Sequence, residues 1–190
     1  GIEIRYNTRA TDLIYDGAKV SGVRVRSGSD IAELKARAVV LACGGFEANT
    51  EMRARYLGPN WDLAKVRGTR HNTGDGINMA LRFGAAPYGH WSGCHATPWD
   101  ANAPATGDRS IGDQFSRHSY PLGIVVNQDC KRFMDEGANF HTHTYAKYGR
   151  EILAQPGIVA YQIFDQKVVG YLRSDYRTKQ VSKATGDTIE

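Results

Sequence analysis

Apolar and polar residues alternate from the start of the chain, with Ile2, Ile4 and Tyr6 on one face of an extended run, which predicts a strand. Two more alternating runs lie in "TDLIYDGAKVSGVRV", on either side of Asp16-Gly17. That dipeptide is a hairpin signal, because both residue types tolerate the backbone of a tight turn. A further strand pair is read from "IAELKARAVVLACGGF", so residues 1–45 form a small β-meander feeding a buried strand. This last strand, Val39-Val40-Leu41-Ala42, is apolar on both faces, as expected of a strand covered on both sides. It ends at Gly44-Gly45, where missing side chains serve either a tight turn or close approach of backbone to a ligand.

The periodicity then becomes helical. "NTEMRARYL" predicts a surface helix capped by Asn49 or Thr50 and stopped by Gly58-Pro59. "RHNTGDGINMALRFGAAP" predicts a short buried helix, with Ile77, Met79, Ala80 and Leu81 apolar and Gly84 as its stop. Asp75 stands at the open end of this helix between two glycines, placed either to cap it or to hook a ligand. After this helix the pattern dissolves into "GHWSGCHATPWDANAPATGDRSIGDQFSRHSYP", an irregular stretch of the length that usually carries function. A boundary near Trp91 divides the chain into pieces 1–92 and 93–190. In the second, "LGIVVN" and "VAYQIFD" read as strands, and "FHTHTYAKYGREILAQPG" reads as a helix ended by Gly157, giving an α+β unit.

Composition narrows the classes. With 190 residues, 41% hydrophobic and 23% charged, the chain is globular and holds one ordinary domain or two small ones. The net charge of +4 is scattered, so nucleic acid is not implied while an anionic substrate would suit. Three widely spaced cysteines, Cys43, Cys94 and Cys130, argue against a disulfide framework and point to a reducing, cytoplasmic setting. No run has the length of a membrane span, and the opening "GIEIRYN" is unlike a signal peptide. With strand alternation from the first residues and no initial methionine, the sequence reads as a piece of a longer protein.

Four chemistries compete for the polar residues. A dinucleotide fingerprint at Gly74-x-Gly76 lacks the preceding buried strand. A metal site from His141 and His143 with His118 or His95 is disfavoured by the two-residue spacing, which puts the pair on different helix faces. Adjacent Cys94-His95 is a poor nucleophile and base pair. Arg109, Arg117, His118, Tyr120 and His95 make carboxylate recognition plausible, with ordinary loop roles the alternative for each.

Several ordered motifs do more. "AVVLACGGFEANTEMRARYL", "TGDGINMALRFGA", "GCHATP", "GIVVNQDCKRFMDE" and "AYQIFD" together resemble the flavoproteins of the fumarate reductase and succinate dehydrogenase group, most of all the tricarballylate dehydrogenases. The resemblance covers nearly the whole chain. It implies an α+β or α/β fragment: the second portion of an FAD-binding domain of glutathione-reductase-like Rossmann type, with its β-meander, then an incomplete α+β capping domain that closes over substrate. The amino-terminal GxGxxG part would lie outside. By the same resemblance Ala42, Cys43, Gly44, Gly45, Thr73, Gly74 and Asp75 bind FAD, with Cys43 standing where threonine is common.

The group's "HPT" histidine matches His95, with Ala96 departing from proline and Thr97 retained, so His95 and Thr97, with Arg117 and His118, would hold a small polycarboxylate. The "VNxxGKRFxNE" element matches "VNQDCKRFMDE" with Cys130 in place of glycine, which makes Lys131 and Arg132 structural. The group's proton-donating arginine would fall at Phe140 or Tyr145, and neither is arginine. Tyr145 and Lys147 are the candidate proton-transfer residues by location, or else both lie on a helix surface. Losing that arginine beside a cationic site suits oxidation of tricarballylate to cis-aconitate, with an electron-accepting partner protein through which the enzyme could associate with a membrane. A flavoprotein dehydrogenase of fumarate/succinate type or of ketosteroid type, and a binding module without activity, are the alternatives.

Overall fold

The computed structural model describes residues 1–188. The chain forms two compact units, Gly1–Asn49 with His71–Trp91, and Thr50–Arg70 with Ser92–Glu190. The segment Thr50–Arg70, placed by the sequence in the first piece, therefore packs with the second.

In the first unit, β1 (Arg9–Tyr15), β2 (Val20–Ser27) and β3 (Asp30–Lys35) make an antiparallel meander in sequence order. Asp16 closes the first hairpin by accepting the N–H groups of Ala18 and Lys19, both at 2.9 Å, while Gly17 takes φ +93°. An irregularity between Ala10 and Asp12 leaves Thr11 without a cross-strand partner, as in a β-bulge. The expected strand at Ile2–Tyr6 is absent: Ile2 is 93% exposed and no strand among the described residues pairs with it. The expected buried strand at Val39–Ala42 is absent too, with Val40 87% exposed. An apolar pattern supplies a face, but a strand also needs a neighbour to satisfy its N–H and C=O groups.

Two helices follow in sequence, α1 (Thr50–Leu57) in the second unit and α2 (Asp75–Arg82) in the first. At the end of α2, Gly84 at φ +85° donates to Leu81 O at 3.1 Å and Ala85 N–H to Ala80 O at 3.3 Å, the double bond of a Schellman turn. The glycine stop is thus where the sequence put it.

The second unit also holds β4 (Ile124–Val126), α3 (His141–Leu153) and β5 (Tyr161–Ile163), with β4 and β5 antiparallel. Helix α3 ends at Leu153 rather than at Gly157, because Pro156 drives Gln155 to φ −85°, ψ 159°. Tyr120, Val125 and Tyr148 form one core, the two tyrosine rings meeting edge to face at 4.9 Å. Ala103, Phe115 and Val181 form another. The segment 50–70 belongs here through side chains the pattern did not reveal: buried Arg53 donates to Ala64 O at 2.7 Å and Asp62 O at 3.1 Å, and Arg67 pairs with Asp113. No helix of the described residues is long and apolar enough to cross a membrane.

Candidate functional site

Two groups of residues singled out by sequence come together, one in each unit. In the first unit the segments 42–45 and 73–76 are laced side by side. Gly74 N–H donates to Gly45 O at 3.0 Å, Ala48 N–H to Asn72 O at 2.9 Å, and Asn49 Nδ2 to Thr73 O at 2.9 Å. Close approach depends on glycine. A Cβ on Gly76 would stand 3.1 Å from Cys43 Sγ, and one on Gly44, at φ +76°, would stand 2.9 Å from Asn72 Oδ1.

Asp75 is not the cap of α2. It is the first helical residue, the cap position is Gly74 in a left-handed conformation, and no side chain caps the helix. The carboxylate turns aside instead: Oδ1 accepts the Thr73 hydroxyl at 3.0 Å, and Oδ2 accepts Arg9 Nε at 3.1 Å and Nη2 at 2.6 Å. The first backbone N–H groups of α2 are thereby left for another acceptor, and two glycine-bearing segments present backbone beside them. The donor set suits the polar groups of a bound dinucleotide such as FAD.

In the second unit a strap and a helix build a polar cluster. Residue 96 is tied along α3 by Ala96 N–H to Ala146 O at 2.7 Å and Gly149 N–H to Ala96 O at 2.9 Å. This is possible because position 149 is glycine: a Cβ there would lie 2.6 Å from the Ala96 carbonyl carbon. The strap sets the His95 ring edge-on to Tyr145 at 5.0 Å and joins Thr97 Oγ1 to His118 Nε2 in a 2.5 Å hydrogen bond. His118 also meets Tyr145 at 5.1 Å and His141 at 4.9 Å, and His141 stacks on Tyr145 at 5.2 Å. His141, weighed from sequence only as a metal ligand, thus joins the cluster, and its Nε2 is buried without a hydrogen-bond partner. Among the described residues no three His, Cys, Asp or Glu side chains are gathered for a metal ion.

Burial and nearby cations disfavour the charged forms of His118 and His141. Burial, then the neighbouring His141, Arg173 and Arg67, depress His118 from its ordinary 6.5 to about 4, against a smaller opposing effect of Asp113. Burial and Arg173 lower His141 as well. Neutral rings can both donate and accept hydrogen bonds, as a site for protons and carboxylates requires.

The remaining candidates lie apart from these rings. Arg117 is buried, its Nε on Asp100 Oδ2 at 2.9 Å, its Nη1 on Ser116 O and Asp175 O at 2.6 and 3.2 Å, and its guanidinium over the Tyr176 ring at 4.8 Å. Lys147 is exposed, with Nζ 4.9 Å from the centroid of Tyr148. Arg132 pairs with Glu136, whose other oxygen accepts Val125 N–H at 2.6 Å, so this part of the motif braces β4. Cys130 sits at φ +57°, which explains glycine as the common residue there.

A meander, a glycine-lined pair of segments beside an open helix end, and a separate polar unit define a flavoprotein of the FAD-binding class. The chain belongs to the FAD binding domain family, whose model matches residues 1–172, and FAD is the cofactor of that family. It is 33% identical over 180 residues to a 3-oxosteroid 1-dehydrogenase of Mycobacterium tuberculosis, covering 88% of this chain and 30% of the relative. It is 31% identical to the fumarate reductase (cytochrome) of Shewanella frigidimarina, covering 88% of this chain and 27% of that one. Among solved structures it resembles the 3-ketosteroid Δ1-dehydrogenase of Sterolibacterium denitrificans, with TM-score 0.66 and 31% identity over 84% of this chain and 29% of that one. It is equally similar, at TM-score 0.66 and 29% identity, to the open conformation of a flavocytochrome c3 fumarate reductase, over 90% of this chain and 28% of that one. The chain thus spans about 30% of the length of the 3-oxosteroid dehydrogenases it matches. The comparisons place it beside ketosteroid dehydrogenases and fumarate reductases, and none of those relatives is a tricarballylate dehydrogenase.

Proposed function

We propose that this chain is part of an FAD-dependent dehydrogenase that oxidises a small polycarboxylate, with tricarballylate to cis-aconitate as its reaction. The observation that carries this reading is the gathering of His95, Thr97, His118, His141 and Tyr145 in one polar cluster under the influence of Arg173 and Arg67. Residues 1–49 with 71–91 serve as the FAD-binding part, and the second unit as the capping part. When bound, FAD would supply the acceptor for the hydride that leaves one substrate carbon. The chain supplies position and a destination for the proton. His95 and Thr97 hold a substrate carboxylate, and Tyr145, in ring contact with three imidazoles, relays the proton from the adjacent carbon, releasing its own phenolic proton to one of those imidazoles as it takes the substrate's. Lys147, on the exposed side of α3, contributes positive charge rather than a proton path. A partner protein takes the electrons onward.

A second reading, oxidation of a ketosteroid, is favoured by the 33% identity to the 3-oxosteroid dehydrogenases. That substrate calls for an apolar cavity with few polar groups, whereas this cluster is rich in imidazoles. The two readings separate in an anaerobic bleaching experiment on the full-length flavoprotein, with tricarballylate, succinate and a 3-ketosteroid added in turn. Loss of flavin absorbance with tricarballylate alone is the expected result. Bleaching by the steroid alone would transfer the assignment to the second reading.

A further inference from the structure

The first unit has a second concave feature, which shares Asp75 with the residues assigned to FAD and is otherwise lined by others. A cavity of about 250 Å³ lies between the sheet and α2, and the guanidinium-bearing side chains of Arg9, Arg26 and Arg82 line it together with a single carboxylate, Asp75. Arg9 and Arg26 are direct cross-strand partners on β1 and β2. Like charges placed directly opposite in an antiparallel pair destabilise it, and neighbours on one face stand roughly 5 Å apart at Cβ. Asp75 compensates Arg9 at 2.6 Å, and Asp12 lies 3.5 Å from Arg82. Among the described residues no carboxylate is within ion-pairing distance of Arg26, an exposed residue that lines the cavity.

The β-bulge at Thr11 adds an independent sign. Bulges re-aim side chains and collect beside sites, and Ala10 and Thr11, the two residues at this one, both line the cavity. Arginine in particular matches the paired oxygens of a phosphate with its planar fork. We propose that this cavity is an anion site for a phosphate group, with Arg26 as its principal ligand and Arg9 and Arg82 completing the positive wall. The group is carried by a nucleotide or is free inorganic phosphate, and both share the chemistry that the three guanidiniums recognise. The site is built within the first unit alone and does not depend on the substrate assigned above.

The test is calorimetric titration of the 190-residue chain with inorganic phosphate and, separately, with ADP, each repeated on Arg26→Gln and Arg26→Lys. Far-UV circular dichroism of the variants verifies that the meander is intact. Saturable binding that weakens at least tenfold in Arg26→Gln, partly recovers in Arg26→Lys and weakens with added salt is expected. Binding of both ligands supports a site for the phosphate group itself. ADP binding alone, with the same sensitivity to Arg26, supports a site for a nucleotide phosphate, and phosphate binding alone supports one for the free anion. Saturation by neither ligand, or ADP binding that Arg26→Gln leaves unchanged, overturns the proposal. Absence of FAD binding would bear on the flavin reading and leave this result untouched.

Discussion

Arg117 and His118 are adjacent in sequence, yet their side chains have different work. The Arg117 guanidinium ends on Asp100, which also accepts the Asn102 and Ser182 N–H groups at 2.8 and 3.2 Å. Burial alone would raise Asp100, but the hydrogen bonds from Arg117, Asn102 and Ser182 outweigh it and hold the carboxyl below its usual range. Removing one partner of such a pair leaves the other charge buried without compensation. Arg117→Ala is therefore expected to destabilise the chain by about 3–5 kcal/mol, read as a lowered urea midpoint. An unchanged midpoint would free Arg117 for a role at the substrate.

His118 makes the opposite kind of prediction. It is neutral in the fold down to about 4, against an ordinary 6.5, so between those limits the unfolded chain binds the extra proton. Its contribution to stability is fully present above 6.5 and is lost as the pH falls toward 4, with an upper limit of about 3 kcal/mol. Unfolding midpoints measured across that range should fall with acidification, and His118→Asn should flatten the slope. A slope identical in the variant would remove His118 as its cause.

At the scale of elements, helix α3 shows how one small residue organises a site. Glycine inside a helix costs roughly 1 kcal/mol relative to alanine in an exposed setting, so propensity alone recommends Gly149→Ala. The Cβ would meet the Ala96 carbonyl carbon at 2.6 Å, where backbone has no easy way to yield. The substitution is expected to reverse sign, destabilising by about 1–3 kcal/mol, and to loosen the strap that brings Thr97 to His118. Thermal melts, together with the His118 imidazole signals in NMR, check both halves. The elements themselves were unevenly legible. The β1–β2 hairpin, α1 and the glycine stop of α2 follow from local signals, turn chemistry and capping, which act within a few residues. The runs at 1–6 and 39–42 carry strand patterns yet form no strand, because alternation cannot supply the neighbouring backbone that a ladder needs.

Across the whole molecule, the chain matches its family over residues 1–172 while spanning about 30% of the length of the 3-oxosteroid dehydrogenases it matches. The proposed tricarballylate oxidation is accordingly a statement about the full-length flavoprotein, and the bleaching experiment addresses it at that scale. By itself the sequence determined the class: ordered motifs from Ala42-Cys43-Gly44-Gly45 through Thr73-Gly74-Asp75 to "VNQDCKRFMDE" identify an FAD-binding chain, since short motifs encode local backbone shape and spacing. Tertiary structure alone decided which polar residues meet. Asp75 finds Arg9 across 66 positions, Thr97 finds His118 across 21, and Arg117 is drawn to Asp100 and away from the histidines. The physical reason is range. Caps, turns and glycine stops are settled by neighbours in sequence, whereas the partner of a charged or hydrogen-bonding side chain is settled by packing and burial, which join residues that no local pattern relates.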